Sequence, residues 1–320
     1  MKHLLDFEKP YLDLQRKLED LRDHPGETDV NVDIGDEIRL LEEKIEAKKR
    51  ELYSNLTAWQ RVQLARHPQR PYSLDYMNHT FSGFSELHGD RLFHDDHAIV
   101  AGFAMLGQHR VMVVGTQKGR DTKENIKRNF GCAHPEGYRK ALRIMGMANR
   151  FGLPIVCLID TAGAYPGVAA EERHIAKAIA INLREMALFS VPMISVVIGE
   201  GGSGGALGIG VSDRTLILEN AYYSVISPEG CAAILWKDRA AAPQAAEALK
   251  ITASDLLELG LVDEVVPEPL GGAHNDHTTI AETLHDTLIR NLEELEEIDP
   301  EIRLKERYAK YRRHGQYIEG

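Results

Sequence analysis

The sequence predicts an α/β fold in which a strand–turn–helix module is repeated after a helical N-terminal segment. The first observation is a self-similarity at a spacing of 38 residues, which superimposes Phe151 on Phe189, Pro154 on Pro192, Gly163 on Gly201 and Gly167 on Gly205. The second is a pair of short apolar runs, 153–160 and 192–199, each of which enters a glycine-containing turn. Parallel stacking of such modules brings both turns to one edge, where backbone N–H groups can converge on a ligand.

The N-terminal segment is predicted to be helical because its apolar residues recur on one face. They are Ile34, Ile38, Leu41, Ile45 and Leu52. A turn at 24–26 separates this helix from an earlier one, and the segment ends near His67. The apolar stripe fits either an interaction arm or packing on the chain's own core. We therefore divide the chain into a helical extension, 1–66, and a main domain, 67–320.

Shorter patterns predict the remaining elements. Two valine-rich runs, 98–106 and 110–116, form a β-hairpin around a central glycine. The first glycine turn leads into a helix with an apolar stripe over 175–183, and the run 215–226 is expected to extend the parallel stack. The tail from Thr278 is predicted to be a solvated helix without a chemical role.

Composition and charge exclude several classes of protein. With 320 residues, 43% of them hydrophobic and 27% charged, the chain is expected to be globular. Its longest strongly apolar run, 191–198, is far too short to cross a bilayer, so we expect no membrane association and a cytoplasmic location. The formal charge of -11 argues against general affinity for nucleic acid.

The sequence predicts no metal on this chain. Three cysteines, Cys132, Cys157 and Cys231, have spacings unlike a zinc site or a disulfide framework, so we expect reduced thiols. The segment 94–97 places two histidines around two aspartates, but no further ligands accompany them. We interpret it as a surface turn.

The glycine-rich segment 199–205 admits several chemical interpretations. Gly199, Gly201 and Gly204 spell the G-x-G-x-x-G of a dinucleotide-binding fold. Glu219 stands where the ribose-binding acid of that fold belongs, but the chain leaves too short a crossover between strands. A P-loop is excluded because no Lys-Ser or Lys-Thr pair closes the segment.

A nucleophile elbow is the second interpretation, with Ser203 at the centre of G-x-S-x-G in 201–205. Asp263 is followed by His274 and His277 in the order of a hydrolase triad. Both histidines lie in a polar stretch where unconstrained loop histidines are expected, and no upstream H-G-G-G segment offers an oxyanion hole.

The third interpretation uses backbone groups alone. Consecutive glycines at a strand-to-helix turn present N–H groups to a developing oxyanion, and glycine permits both the backbone angles and the close approach. A tight turn that binds nothing stays open as an alternative. Two such turns on adjacent repeats make that alternative less favourable.

A basic cluster lies between the hairpin and the repeat. Its members are Lys118, Arg120, Lys123, Lys127 and Arg128. Such a cluster can hold phosphates or a carboxylate. Acidic residues are interspersed among these side chains, so a solvated helix face explains the pattern equally well.

Longer motifs identify a family that this sequence resembles. In chain order they are 66–72 (RHPQRPY), 117–120 (QKGR), 128–131 (RNFG), 163–167 (GAYPG), 199–206 (GEGGSGGA), 224–231 (SVISPEGC) and 267–273 (PEPLGGA). Over nearly its whole length the sequence resembles the acetyl-CoA carboxylase carboxyltransferase alpha-subunit family of bacteria. One departure is Ala162, where the family usually has proline. The alanine adds a backbone N–H group to the first glycine turn.

The resemblance implies a crotonase-like fold, a spiral of repeated β-β-α units, which agrees with the repeat found above. It also implies an enzyme active only as a complex with a homologous beta subunit, in an α2β2 heterotetramer. Zinc is expected on a ribbon of the beta subunit. Carboxybiotin is expected in trans on the biotin carboxyl carrier protein, and ATP is used by a biotin carboxylase rather than by this chain.

The implied reaction transfers the carboxyl group of carboxybiotin to acetyl-CoA and gives malonyl-CoA, the first committed step of fatty acid biosynthesis. Decarboxylation leaves a biotin enolate, which takes a proton from the acetyl methyl group. The resulting acetyl enolate then attacks the carboxyl carbon. Both intermediates are oxyanions, which backbone N–H groups stabilise without a side-chain base.

The resemblance also assigns roles to residues of the two turns. The backbone N–H groups of Gly204 and Gly205 form the oxyanion hole for biotin, and the beta subunit supplies the second hole and most of the CoA site. Residues expected to bind substrate are Gly163, Ala164, Tyr165, Pro166, Gly167, Gly201, Gly202 and Ser203. Lys118 and Arg120 are further candidates. Two alternatives remain, a serine hydrolase that uses Ser203 and a scaffold that only positions a catalytic partner.

Overall fold

The described part of the chain is a mixed α/β structure. A computed structural model describes residues 5–23 and 34–315; the expected turn at 24–26 and the side chain of Ile34 lie outside it. Its strands are β1 (Ser82–Glu86), β2 (Ile99–Leu106), β3 (His109–Thr116), β4 (Ile155–Thr161), β5 (Met193–Gly202), β6 (Arg214–Leu218), β7 (Tyr222–Ser224) and β8 (Glu264–Val266). Its α-helices are α1 (Lys9–Asp23), α2 (Ile34–Ser54), α3 (Ala58–Ala65), α4 (Ser73–His79), α5 (Thr122–Lys127), α6 (Pro135–Phe151), α7 (Val168–Glu172), α8 (Ile175–Met186), α9 (Ser203–Leu207), α10 (Pro228–Leu235), α11 (Ala242–Leu249), α12 (Ala253–Glu258), α13 (His277–Glu296) and α14 (Pro300–Arg312).

The described strands form one sheet in the order β1-β2-β3-β4-β5-β6-β8, with β7 paired to β5. β1, β2 and β3 pair in antiparallel fashion, and the pairs from β3 onward are parallel. The predicted hairpin and the predicted parallel stack are both confirmed. The parallel pairs place the ends of β3, β4 and β5 at one edge of the sheet.

The 38-residue spacing of the repeat equals the offset between paired residues of β4 and β5. From Ile155 opposite Met193 onward, five consecutive residues of β4 pair with β5 at the same offset. The register then shifts, so that Thr161 lies opposite Gly201. The 38-residue offset therefore describes the pairing up to Ile159, and Gly201 lies opposite Thr161 rather than Gly163 because the ladder is irregular where the strands end.

The run 215–226 forms two strands rather than one. β6 pairs with residues 194–197 of β5, and β7 pairs with residues 200–202 of the same strand. Both fit along β5 because β5 is ten residues long. The expected extension of the stack is correct, but a turn at 219–221 divides it.

Helices cover both faces of the sheet. In the parallel pair of β3 and β4, Val114 lies opposite Cys157, so the next residue, Gly115, points to the other face. The sulfur of Cys157 is 4.0 Å from that of Met145 in α6. A methyl group at Gly115 would lie 2.6 Å from the side chain of Ser73 in α4. α6 and α4 therefore lie on opposite faces.

The first two helices pack on each other around a small cluster that contains Tyr11 and Tyr53. Both tyrosine hydroxyls donate hydrogen bonds to the buried carboxylate of Glu8. The stripe of α2 thus has a partner within this chain. In contrast, Val62 of α3 packs with Tyr222 of the main body. The division into an N-terminal extension and a main domain stays a prediction.

The C-terminal helices are packed against the body, so the expectation of a solvated tail is wrong. α13 buries an apolar face made of Ile280, Ala281, Leu284, Leu288, Leu292 and Leu295. In α14, Arg303 and Arg307 are buried. Arg303 donates to the carbonyl of Leu295, and Arg307 pairs with Asp213 at 2.7 Å. Within the described ranges no helix is long and apolar enough to span a membrane.

Candidate active site

The two glycine turns interlock at the edge of the sheet, as the repeat predicts. A methyl group on Gly202 would overlap the carbonyl of Ala162, and one on Gly205 would lie 2.6 Å from the amide nitrogen of Ala164. Real Cβ atoms do not come so close to backbone. A methyl group on Gly204, by contrast, would meet only the side chain of Ile179, at 3.5 Å. The turns therefore fix each other's position through bare backbone.

The second glycine turn, in segment 199–205, has a shorter connection between strand and helix than the sequence suggests. Gly201 and Gly202 belong to β5, where they lie opposite Tyr223 and Ser224. The chain reverses at Ser203, whose φ of 51° is in the left-handed region, and α9 starts there. The amide groups of residues 204 and 205 lie in the first turn of α9, where N–H groups have no acceptor within the helix.

A cavity of about 330 Å³ opens beside Ser203 and Gly204. Its apolar walls come from Leu207, Val211, Val225, Leu256 and Leu261. Polar side chains from Ser224, Tyr223, Tyr311 and His314 complete the lining. The start of α9 thus faces a mostly apolar space large enough for a small organic ring.

The first turn lies behind this cavity wall. Its residues 163 and 164 touch Gly205, but no residue of 163–167 lines the cavity. Tyr165 stacks on His134 with ring centroids 4.1 Å apart, and its amide donates to the carbonyl of Ala133. The structure therefore brings Ser203 and Gly204 to the cavity and places residues 163–167 outside it.

A buried network of charges under the turns escaped the sequence analysis. The Lys118 ammonium lies 2.6 Å from Oδ1 of Asp160 and 2.7 Å from Oε2 of Glu200. Arg66 Nε is 2.7 Å from Oε1 of Glu200, and the Tyr222 hydroxyl donates to the same oxygen at 2.6 Å. The only signal in the sequence is a lysine shortly after an apolar strand and a glutamate inside a glycine run.

The charges of this network stabilise one another. Burial raises the pKa of Glu200, but Lys118 and Arg66 outweigh this effect and lower it to about 2. Burial likewise lowers the pKa of Lys118, but Asp160 and Glu200 outweigh it and raise this pKa above its ordinary value. Lys118 is therefore a paired, protonated side chain in the fold rather than part of a solvated helix face.

Arg120, the other basic candidate, holds the segment that follows α3. Its guanidinium donates to the carbonyls of Pro68 and Arg70 at 2.8 and 2.9 Å. It also pairs with Asp75 and lies 3.9 Å from the ring centroid of Tyr72. These contacts hold the segment 68–75 together, and the expectation that Arg120 binds substrate stays a prediction.

The hydrolase triad is not assembled. His274 stacks on His67 with centroids 3.9 Å apart, and burial, followed by His67 and Arg70, lowers its pKa to about 3. His277 contacts the carbonyl of Gln69 at 2.8 Å. Neither histidine lines the cavity beside Ser203. The description of both as unconstrained loop histidines is wrong, because they anchor their loop to residues 67–70.

The remaining alternatives find little support in the geometry. Glu219 accepts a hydrogen bond from the amide of Glu268, and the helix after β5 has only five residues, unlike a dinucleotide fold. In segment 94–97, Asp95 pairs with the buried Lys140, and Asp96 accepts from backbone amides. The described residues contain no group of three or more His, Cys, Asp or Glu placed to hold a metal ion.

Comparison with known proteins identifies the family to which the chain belongs. A family model described as "Acetyl co-enzyme A carboxylase carboxyltransferase-like" matches residues 4–315. The acetyl-coenzyme A carboxylase carboxyl transferase subunit alpha of Geobacter metallireducens is 56% identical over 315 residues, 98% of each chain. The chain belongs to this family. The corresponding subunit of Thermus thermophilus is 55% identical over 98% of this chain and 99% of its own.

Solved structures confirm the crotonase-like fold of this family member. Transcarboxylase 12S, with methylmalonyl-coenzyme A bound, matches 68% of the chain with a TM-score of 0.54 and 22% identity, and the match covers 41% of that longer chain. A Pseudomonas malonate decarboxylase hetero-tetramer in complex with coenzyme A matches 68% of this chain and 90% of its own, with a TM-score of 0.57 and 16% identity.

Proposed function

We propose that the chain is the alpha subunit of the carboxyltransferase component of acetyl-CoA carboxylase. In this role it takes part in moving the carboxyl group from carboxybiotin, carried in trans, to acetyl-CoA, with malonyl-CoA as the product. The family membership supports the reaction. The observation that carries the assignment of the site is the position of the Gly204 amide, at the start of a helix and at the wall of an apolar cavity.

The residues present fit this chemistry. Carboxybiotin supplies the carboxyl group and, on losing it, leaves negative charge on the ureido oxygen. The N–H groups of Gly204 and Gly205 lie at the positive end of α9, where they can donate to such an oxygen. The walls of the cavity are mostly apolar, and hydrogen bonds made in such surroundings are stronger than in bulk water.

The proposal includes partners. We expect a beta subunit in an α2β2 heterotetramer, which supplies the second oxyanion hole, most of the CoA site and the zinc ribbon. The biotin carboxyl carrier protein delivers the carboxyl group, and biotin carboxylase charges it with use of ATP. We place the complex in the cytoplasm, in fatty acid biosynthesis.

Reconstitution tests the proposal. Malonyl-CoA formation is measured for the isolated chain, for the beta subunit alone and for their mixture. We expect turnover only in the mixture, since the site needs donors from two chains. Robust turnover by this chain alone would refute the shared site, and full turnover by the beta subunit alone would show that this chain is a scaffold.

Ser203→Ala separates this function from the hydrolase alternative. The variant keeps the amide of residue 203 and removes only the hydroxyl, so the mixture should retain most of its carboxyltransferase activity. A fluorophosphonate probe should not label the wild-type chain. Labelling at Ser203, together with loss of activity in the variant, would instead support a nucleophilic serine.

A further inference from the structure

Lys118 occupies an unusual position relative to the two glycine turns. It lies two residues after the end of β3, and its ammonium reaches across to a carboxylate near the end of each of the next two strands. Asp160 is the penultimate residue of β4, and Glu200 lies two residues before the end of β5. One cation therefore joins three adjacent strands at the edge that carries the turns.

Two glycines make room for this arrangement. A methyl group on Gly199 would lie 2.6 Å from Oδ1 of Asp160, and one on Gly131 would lie 2.8 Å from Cγ of Lys118. Gly131 also has a φ of 78°, which side chains rarely adopt. Motifs far apart in the sequence thus converge on the same ion triad.

The triad also binds the backbone that leads into the turns. The amide of Glu200 donates to Oδ1 of Asp160 at 2.9 Å, so the carboxylate ties β4 to β5 where their regular ladder shifts. Thr161, the next residue after Asp160, accepts from the amide of Gly163 through its hydroxyl at 3.1 Å. Hydrogen bonds to Asp160 and Thr161 therefore hold the backbone at the start of each turn.

The burial of these charges argues for a positional role. The exposed fractions of the side chains are 13% for Lys118, 1% for Asp160 and 9% for Glu200. Buried ion pairs contribute little net stability compared with apolar side chains of the same size, so stability alone does not explain them. They do impose a fixed distance between the groups that they join.

We propose that Lys118 is a positioning residue of the carboxyltransferase site, which holds the two strand ends so that the start of α9, with the amides of Gly204 and Gly205, keeps its position beside the cavity. This inference rests on the function proposed above. It replaces the expectation that Lys118 binds substrate phosphates or carboxylates directly. Misplacement of donors by about 1 Å costs on the order of 100-fold in rate, which sets the size of the expected effect.

The test compares Lys118→Met with Lys305→Met, a neutralisation at an exposed lysine of α14. Both variants are assembled with the beta subunit, and kcat and KM for acetyl-CoA are measured. We expect Lys118→Met to lower kcat by about 100-fold with KM nearly unchanged, and Lys305→Met to match the wild type. An unchanged kcat, or a raised KM with normal kcat, would overturn the proposal.

A double variant separates position from stability. Lys118→Met leaves the buried Asp160 without its cation, which destabilises the fold, whereas Glu200 keeps its pair with Arg66. Adding Asp160→Asn removes the unpaired charge, so the melting temperature should recover while kcat stays low. Recovery of kcat together with the melting temperature would reduce Lys118 to a structural role. The double variant also provides a folded sample if the single variant is unstable.

Hydrogen exchange gives a readout that does not depend on activity. Amides in peptides that cover 160–168 and 199–207 should exchange faster in the double variant than in Lys305→Met. Equal exchange would overturn the positioning role even if the complex is active. A wild-type complex that makes no malonyl-CoA would instead refute the proposed function and leave the exchange result to decide the role of Lys118.

Discussion

At the scale of single residues, the two adjacent glycines at the start of α9 differ in the space that they leave for a side chain. Gly205 has no space for a methyl group because the backbone of Gly163 and Ala164 fills it, whereas Gly204 has space. A Gly205→Pro variant would remove one oxyanion donor, which typically costs about 10²–10³-fold, but it would also displace the first turn, so its loss of turnover would not report the missing N–H group alone.

A matched pair of alanine variants tests this difference. Gly205→Ala keeps its N–H group but must push the first turn away, so we expect a loss of turnover on the order of 100-fold. Gly204→Ala keeps the same donor without a clash, and its turnover should stay close to that of the wild type. Malonyl-CoA formation by the assembled complexes is the measurement. Equal losses in both variants would contradict the interlock.

The buried His274 makes the stability of the chain depend on pH. Its pKa is about 3 in the folded chain, well below the ordinary value of 6.5. Because the unfolded chain binds a proton that the folded one excludes, the stabilising effect is complete above pH 6.5 and is lost as the pH falls toward 3. At pH 5 the loss is about 2 kcal/mol in the free energy of unfolding.

His274→Phe should reduce this sensitivity to acid, since phenylalanine keeps the stack on His67 but cannot be protonated. Urea unfolding at pH 7 and pH 5 measures the effect, with His94→Phe as the control at an exposed histidine. If the two variants lose the same stability between these pH values, His274 does not carry the dependence.

At the scale of elements, Arg307 makes the most buried of the contacts that attach α14 to the body. It pairs with Asp213 and donates to the carbonyls of Met186 and Phe189, all in a buried environment. Arg307→Ala leaves the buried Asp213 with only the more distant Arg303, at 3.9 Å, so we expect a loss of about 3–5 kcal/mol in the free energy of unfolding. Arg312→Ala, on the exposed side of α14, should change it by less than about 0.5 kcal/mol. Chemical denaturation measures both, and equal effects would contradict the anchoring role.

The same helix shows where sequence patterns stop being informative. The repeat predicts β4 and β5 well because parallel pairing imposes a constant offset on two local patterns. The basic run at the C-terminus predicts exposure, yet Arg303 and Arg307 are buried. Their acceptors are backbone carbonyls and Asp213, which are distant in sequence, and no local pattern reports an acceptor of that kind.

At the scale of the whole molecule, the part of the site that could be predicted is the part made by neighbouring strands. The glycine turns are visible in the sequence because glycine is needed wherever backbone meets backbone. The ion network is not visible, since Arg66, Lys118 and Glu200 come from three separate segments. Charged residues are common in any sequence, so only the folded chain shows which of them are paired.

The interlocked turns also limit which substitutions could make the protein resistant to an inhibitor. A small molecule held only by the turn amides would leave few routes to resistance at Gly202 or Gly205, because any larger residue there displaces the other turn. A molecule that reaches further into the cavity would contact Leu207 and Leu256, side chains that are not held against the backbone of the other turn as the glycines are. Durable inhibition is therefore favoured by compounds that stay close to the backbone.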